Sequence, residues 1–160
     1  MKVLKFPHPN LFEPTIPVTV FGEELKILLD SMWETMLECN GIGLSANQVG
    51  LSFRMFVMQG AHGRINLVNP VVVNQSIQPA NLKEGCLSAP GDFIIVPSRV
   101  DWVHVKYQNE LGQDRFATFG GIHSVAFFHE LDHLDGKSFM QNKSIPRPIR
   151  NFLKRKWGVK

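Results

Sequence analysis

Residues 120–136 of the 160-residue chain read GGIHSVAFFHELDHLDG. From Ser124 to Leu134, apolar side chains recur on most sides of a helix, so we expect that helix to lie buried in the middle of the protein. Ser124 can cap the N-terminus of this helix, and Gly136 is predicted to end it, because glycine is common directly after the last residue of a helix. The sequence therefore predicts a central helix from about Ser124 to Leu134.

Two histidines and a glutamate interrupt this apolar surface. His129 and His133 are four residues apart, so both imidazoles lie on one helix face and can bind one metal ion, with Glu130 beside them. A divalent ion lowers the pKa of a bound water, and a glutamate can carry the proton that the water loses. The alternative is a buried helix with incidental histidines, but buried ionisable groups need a compensating partner. We therefore interpret the motif as part of a catalytic metal site.

The third metal ligand is not given by the helix itself. One class of metalloproteases places a histidine three residues after the glycine, but Phe139 stands there, and no acidic residue follows Asp135. The ligand must therefore come from upstream, and the candidates are Cys86, Cys39, His8, His62, His104 and His123. Cys86 is favoured because it lies in a glycine-containing segment, residues 84–88, that we expect to be irregular. A lone cysteine is otherwise most often a small buried apolar residue.

Residues 41–48, which read GIGLSANQ, form the third notable stretch. Its two glycines are a weak signal for a phosphate-binding loop, because the third glycine is misplaced. We expect a turn that brings Gln48 and exposed backbone groups to a pocket.

The remaining pattern is that of one α+β domain spanning residues 1–160. A proline-rich arm opens the chain, an amphipathic helix is predicted over residues 23–39, and a basic helix over 148–157. Short strands are predicted at residues 53–58, 65–68, 71–73, 100–107 and 116–119.

Charge is unevenly distributed along the chain. Six of the 17 basic residues lie between Arg147 and Lys160, where there is no acidic residue, although the formal net charge is only +3. This basic end is typical of a segment that binds an anionic partner, and equally of a solvated helix.

The sequence also bears on the location of the protein. Two cysteines could form at most one disulfide bond, and no signal pattern is seen at the start of the chain. No apolar run is long enough to span a membrane. We expect a cytoplasmic protein with reduced thiols.

Together, residues 41–48, 84–88 and 129–136 resemble, in that order, the three signature motifs of the peptide deformylase family. The similarity extends to residues 3–7 and to the basic C-terminal helix. The resemblance implies an α+β fold in which small mixed or antiparallel sheets surround the helix that carries the histidines, with an N-terminal helix and a basic C-terminal helix. Because the chain is short and shows no targeting segment, we expect a bacterial or phage source, and we expect a monomer.

The resemblance further implies a role for each site residue. A ferrous ion (Fe2+) would be the native metal, replaceable by Zn2+, Ni2+ or Co2+, with the ligands Cys86, His129 and His133. Metal-bound hydroxide would attack the formyl group of an N-formylmethionyl peptide, with Glu130 as general acid and base. The Gln48 side chain and the Leu87 backbone N–H would stabilise the oxyanion.

Substrate binding is implied for a further set of residues. Gly43 would orient the peptide backbone, and the apolar methionine pocket would be lined by Ile42, Ile122, Val125 and Ala126. Partners of the metal ligands would be Glu84, Asp132 and Arg99. Many members have arginine where this chain has Phe93 and glutamine where it has Phe128, so we expect altered substrate handling. The basic C-terminal helix is similar to the segment by which bacterial members contact the ribosome.

Two rival hypotheses remain at this point. A metallopeptidase or related amidase would use the same ligands but cleave internal or unformylated peptides. A non-catalytic binding protein would keep the fold and bind ribosomal RNA through its basic end, but it would not need the ligands, Glu130 and Gln48 together.

Overall fold

A computed structural model describes residues 1–160. Three helices are present, α1 (Glu23–Glu38), α2 (Ile122–Leu134) and α3 (Arg147–Lys156). The seven strands are β1 (Gly43–Ser45), β2 (Met55–Gly60), β3 (Gly63–Gln75), β4 (Lys83–Cys86), β5 (Ala89–Ile95), β6 (Trp102–Gln108) and β7 (Asp114–Gly120). No helix is both long enough and apolar enough to cross a membrane. The predicted α+β class is confirmed.

Five strands form one antiparallel sheet in the order β1-β2-β3-β6-β7. The sequence predicted two separate strands within residues 65–73, whereas β3 runs through both. Asn69, at φ +49°, marks a shift of register between Val68 and Val71. Its side chain bonds the backbone N–H and C=O of Val18 and donates to the Gln108 side chain, so the irregularity is held by hydrogen bonds instead of ending the strand.

The helix α1 buries one stripe against this sheet. Leu25, Leu29, Met32 and Met36 are buried at helical spacing and pack with residues of β1 and β2. The helix ends one residue earlier than predicted, at Glu38, because Cys39 is its C-cap and Asn40 takes φ +54°.

The helix α2 lies in the middle of the fold, as the sequence predicted. Phe127 packs between the aromatic rings of Phe56 and Phe119 on the sheet. The predicted N-terminus was wrong by two residues, because the helix begins at Ile122 after Gly121. Ser124 lies inside the helix, and its hydroxyl donates to the Val100 carbonyl instead of capping the helix.

The strands β4 and β5 form a separate antiparallel hairpin next to α2. The prediction that residues 84–88 are irregular was wrong for Glu84 to Cys86, which are a strand. Glu84 and Cys86 are buried on one face of that strand, while Lys83 is exposed. The buried face of β4 is therefore polar, so the strand lacks the alternation of apolar residues by which strands are recognised.

The helix α3 completes a second apolar cluster with the N-terminal arm and the hairpin. Leu153 is buried beside Phe6, Phe139 and Ile145. Phe152 of α3 is exposed, whereas the ring of Trp157, directly after the helix, packs against this cluster.

Candidate metal centre and active site

Three side chains with metal-binding atoms meet where α2 faces the end of β4. The ligand atoms of Cys86, His129 and His133 all lie within 4.8 Å of one another, and all three residues are buried. The Cys86 Sγ lies 3.2 Å from His133 Nε2. The spacing of four residues on α2 thus brings both imidazoles to one face, and the end of β4 supplies the thiol.

The donor set fits a divalent metal ion. One sulfur and two imidazole nitrogens leave a fourth tetrahedral position open, as catalytic sites of this type require. Burial lowers the pKa of His133 well below its ordinary value, so this imidazole is neutral, as a ligand must be. Burial also lowers the pKa of His129, but its interactions with Cys86 and Glu84 outweigh burial and raise it. The surroundings of His129 thus favour a cation, and a metal ion would take the place of the proton.

The other candidate ligands do not join the cluster. Cys39 is exposed at the end of α1, and His8 accepts a backbone hydrogen bond from Asn10. His104 pairs with Thr118 on the strands β6 and β7. No other group of three such side chains converges in the structure.

A buried chain of ion pairs holds His129. Glu84 Oε1 pairs with His129 Nδ1 at 2.9 Å, which directs the other ring nitrogen away from Glu84. Arg99 donates to both oxygens of Glu84, at 2.6 and 2.8 Å, and to Asp132 at 2.8 Å. Burial raises the pKa of Glu84, but the hydrogen bonds from Arg99 and His129 outweigh it and lower the pKa to about 2. Glu84 is therefore ionised at neutral pH.

Glu130 is buried beside the cluster, and its Oε2 has no hydrogen-bond partner. Burial raises its pKa to about 7, although His129 and Ser45 oppose the rise. Gly43 on β1 makes room for the carboxylate, because a Cβ on Gly43 would lie 2.6 Å from Glu130 Oε1. The sequence suggested only a substrate-binding role for Gly43, and the structure adds this contact. A carboxyl group with this pKa can both accept and donate a proton near neutral pH.

Gln48 lies in a short 3-10 helix, Ala46–Val49, directly after β1. Its Oε1 accepts hydrogen bonds from the Ser45 backbone N–H at 3.0 Å and hydroxyl at 2.9 Å. Its Nε2 is therefore directed towards Ser88 Oγ at 3.2 Å and Cys86 Sγ at 3.6 Å. The expected turn is thus a strand followed by a helical turn, and Gln48 is buried.

Two polar residues of this segment were missed from the sequence. Ser45 orients the Gln48 amide, and Asn47 Nδ2 donates to the His133 carbonyl. The spacing Ser45-x-x-Gln48 is that of a capping box, which is the signal that could have identified the first contact.

A cleft of about 390 Å³ opens over the cluster. His129 and Glu130 line it, together with all four residues that were expected to form an apolar pocket: Ile42, Ile122, Val125 and Ala126. Val125 and Ala126 are buried, whereas Ile42 and Ile122 are exposed near the opening. Leu87 and Phe93 also line the cleft, on the side formed by the hairpin.

Phe128 lies away from the cleft. The centroid of its ring lies 5.5 Å from that of the Phe127 ring, in the apolar cluster between α2 and the sheet. Phe128 therefore extends the core, and of the two atypical residues only Phe93 lines the cleft.

The amino-acid sequence is similar to one protein family and to several of its characterised members. The family model described as polypeptide deformylase matches residues 1–147. Peptide deformylase 1 of Bacillus subtilis is 41% identical over 140 residues, which are 86% of each chain. The peptide deformylase of Thermotoga maritima is 36% identical over 155 residues, covering 97% of this chain and 92% of that one.

Solved structures of proteins from the same family have the same fold as this chain. The crystal structure of the peptide deformylase from Thermus thermophilus superposes with a TM-score of 0.87 at 35% identity, covering 96% of this chain and 90% of that one. Arabidopsis thaliana peptide deformylase 1B, in complex with an inhibitor, gives a TM-score of 0.90 at 30% identity, covering 99% and 89%.

Proposed function

The chain belongs to the polypeptide deformylase family and is therefore a hydrolase, and we propose that it removes the formyl group from N-formylmethionyl peptides by a metal-dependent mechanism. The observation that carries the proposal is the convergence of Cys86, His129 and His133 beside a buried Glu130 at the base of a cleft.

The cleft suits a peptide that enters with its formylated end first. The methionine side chain would occupy the apolar part of the cleft, where Val125 and Ala126 are buried and Ile42 and Ile122 flank the opening. The formyl group would then lie next to Glu130 and the three ligands.

Cys86, His129 and His133 would hold one divalent ion, Fe2+ natively, with Zn2+, Ni2+ and Co2+ as substitutes. When bound, the ion would polarise the formyl oxygen and lower the pKa of the attacking water. Glu84 would keep His129 in the orientation that its hydrogen bond dictates, and Arg99 and Asp132 would hold Glu84 in turn.

Glu130 would move the proton. Its unpartnered Oε2 is free to accept a proton from the attacking water, and its pKa of about 7 allows it to donate that proton to the departing amine. The C–N bond of the formamide breaks, and formate and the free amino terminus of the peptide result.

Two groups would stabilise the negative charge that develops on the formyl oxygen. The Gln48 amide is fixed by Ser45, so its N–H groups are preorganised towards the metal cluster. The Leu87 N–H, directly after Cys86, would be the second donor. Gly43 would accommodate both Glu130 and the passing peptide backbone.

The basic helix α3 would bind the ribosome, which presents the nascent substrate. Arg147 and Arg155 are exposed on this helix, and cations in this density suit a phosphate-rich surface. The site of action would then be the bacterial cytoplasm.

The test compares three peptides with protein purified without oxygen. Formyl-Met-Ala-Ser should release formate, acetyl-Met-Ala-Ser should release far less acetate, and unformylated Met-Ala-Ser-Ala should stay intact at every internal bond. Cleavage of internal bonds without formate release would instead support a metallopeptidase.

A further inference from the structure

One of the side chains that line the cleft is an exposed aromatic residue. The Phe93 side chain lines the cleft and is 70% exposed, although phenylalanine is usually buried. It lies on β5, directly across the hairpin from Gly85, which precedes Cys86. The ring therefore lies on the hairpin side of the cleft, opposite the residue that precedes Cys86 on β4.

Gly85 provides the surface under the ring. A Cβ on Gly85 would lie 2.7 Å from Phe93 Cε1 and 3.0 Å from Cδ1, so the ring occupies the space that any larger residue would fill. One edge of the ring thus contacts the backbone of β4, and most of the remaining surface faces the cleft and solvent.

The hairpin that carries Phe93 is tied to α3. The neighbouring Asp92 accepts hydrogen bonds from Lys156 Nζ at 2.7 Å and from Trp157 Nε1 at 2.5 Å. This double contact restrains β5 at the residue next to Phe93, so a ligand that covers the ring loses little conformational entropy of the protein.

We propose that Phe93 is a specificity-determining residue that binds an apolar side chain, preferably an aromatic one, in the residues that follow formylmethionine. The inference rests on the proposed function, because it takes the occupant of the cleft to be a formylated peptide. With the methionine side chain beside Val125 and Ala126, the residues that follow it would lie along the hairpin side of the cleft, which includes Phe93. An aromatic side chain there would stack on or pack edge-to-face against the exposed ring.

The experiment measures kcat and KM for formyl-Met-Ala-Ser, formyl-Met-Phe-Ser, formyl-Met-Ala-Phe and formyl-Met-Asp-Ser. For the wild type we expect kcat/KM to be about 5- to 10-fold higher with phenylalanine at one of the two positions than with alanine, mainly through KM. In Phe93→Ala this ratio should fall to about 1. Phe93→Leu should restore part of the preference.

Phe116→Ala is the matched control, because Phe116 is also an exposed aromatic residue but lies on β7, outside the cleft. It should leave the ratio unchanged. A ratio of about 1 in the wild type, or an equal ratio in the wild type and Phe93→Ala, would overturn the inference while leaving the proposed function intact. Failure of the wild type to release formate from any peptide would overturn the proposed function, and this inference with it.

Discussion

Unsatisfied polar atoms are concentrated at the proposed centre. Three buried side-chain nitrogen or oxygen atoms lack a hydrogen-bond partner, and two of them are Glu130 Oε2 and His133 Nδ1. Leaving such atoms unpaired is unfavourable for folding, so their presence together indicates a site kept for chemistry rather than for stability.

The two cysteines provide a direct test of the metal ligands. Replacing Cys86 by serine removes the sulfur donor, so bound metal should fall from about one ion per chain to less than about a tenth after dialysis. Metal content by plasma mass spectrometry is the measurement, with a thermal melt to verify folding.

Cys39→Ser is the control for this experiment, since Cys39 is exposed and lies outside the cluster. It should keep the full metal content. Equal metal retention in both variants would show that Cys86 is not a ligand.

Gly43 tests the position of the Glu130 carboxylate. In Gly43→Ala the new methyl group would approach Glu130 Oε1 to 2.6 Å, so the carboxylate must move. A displacement of this size should lower kcat by roughly 10- to 100-fold with little loss of stability.

Gly120→Ala serves as the matched control, because a Cβ there meets nothing closer than 3.9 Å. Its kcat should equal that of the wild type. Wild-type kcat in Gly43→Ala would mean that the contact with Glu130 does not position the carboxylate for turnover.

At the scale of the elements, long patterned segments could be predicted and short polar ones could not. The spacing of leucine and methionine residues in α1 and the apolar surface of α2 both indicated helices, which are confirmed within two residues. The strand β4 was missed because one of its two buried side chains, Glu84, is charged, so the strand lacks the alternation of apolar residues that predicts a strand.

The candidate site was only partly predictable for the same reason. The histidine spacing depends on a single helix, so it can be read from the sequence. The contacts of Gly43 with Glu130 and of Asp92 with Trp157 join residues far apart in the chain, and no local pattern records them.

Asp92 links the hairpin to α3 and makes stability depend on pH. Burial raises the pKa of Asp92, but its hydrogen bonds with Lys156 and Trp157 outweigh burial and lower it below the ordinary value. The contribution to stability is therefore complete above the ordinary pKa and is lost as pH falls through the lowered value. Asp92→Asn should reduce the free energy of unfolding by about 1 kcal/mol at pH 7.

Urea unfolding of both proteins between pH 7 and pH 3 measures this effect. The difference between the wild type and Asp92→Asn should narrow below about pH 4. A difference that stays constant down to pH 3 would mean that the Asp92 charge has no part in holding α3.

In the molecule as a whole, no residue of α3 lines the cleft, so the proposed binding to the ribosome can be tested separately from catalysis. The cluster and the cleft lie between α2 and the hairpin, whereas on α3 Arg147 and Arg155 are exposed and Arg150 is half-buried. Changing Arg147, Arg150 and Arg155 together to glutamine should therefore leave turnover of a free peptide unchanged.

The same triple variant should bind ribosomes more weakly and with a weaker dependence on salt. Each lost phosphate contact lowers the slope of log K against log salt by about one, and sedimentation binding at several salt concentrations measures it. A matched triple change of Lys2, Lys106 and Arg115, which lie elsewhere on the chain, should have little effect. Equal loss in both triple variants would indicate nonspecific attraction.

The most direct test of the central proposal is formate release from formyl-Met-Ala-Ser by the wild type and by Glu130→Ala, both loaded with ferrous ion and both assayed for metal. We expect rapid release by the wild type and loss of at least about 1000-fold in kcat by the variant, with equal metal content. Absence of formate release by the metal-loaded wild type, or undiminished release by Glu130→Ala, would contradict it.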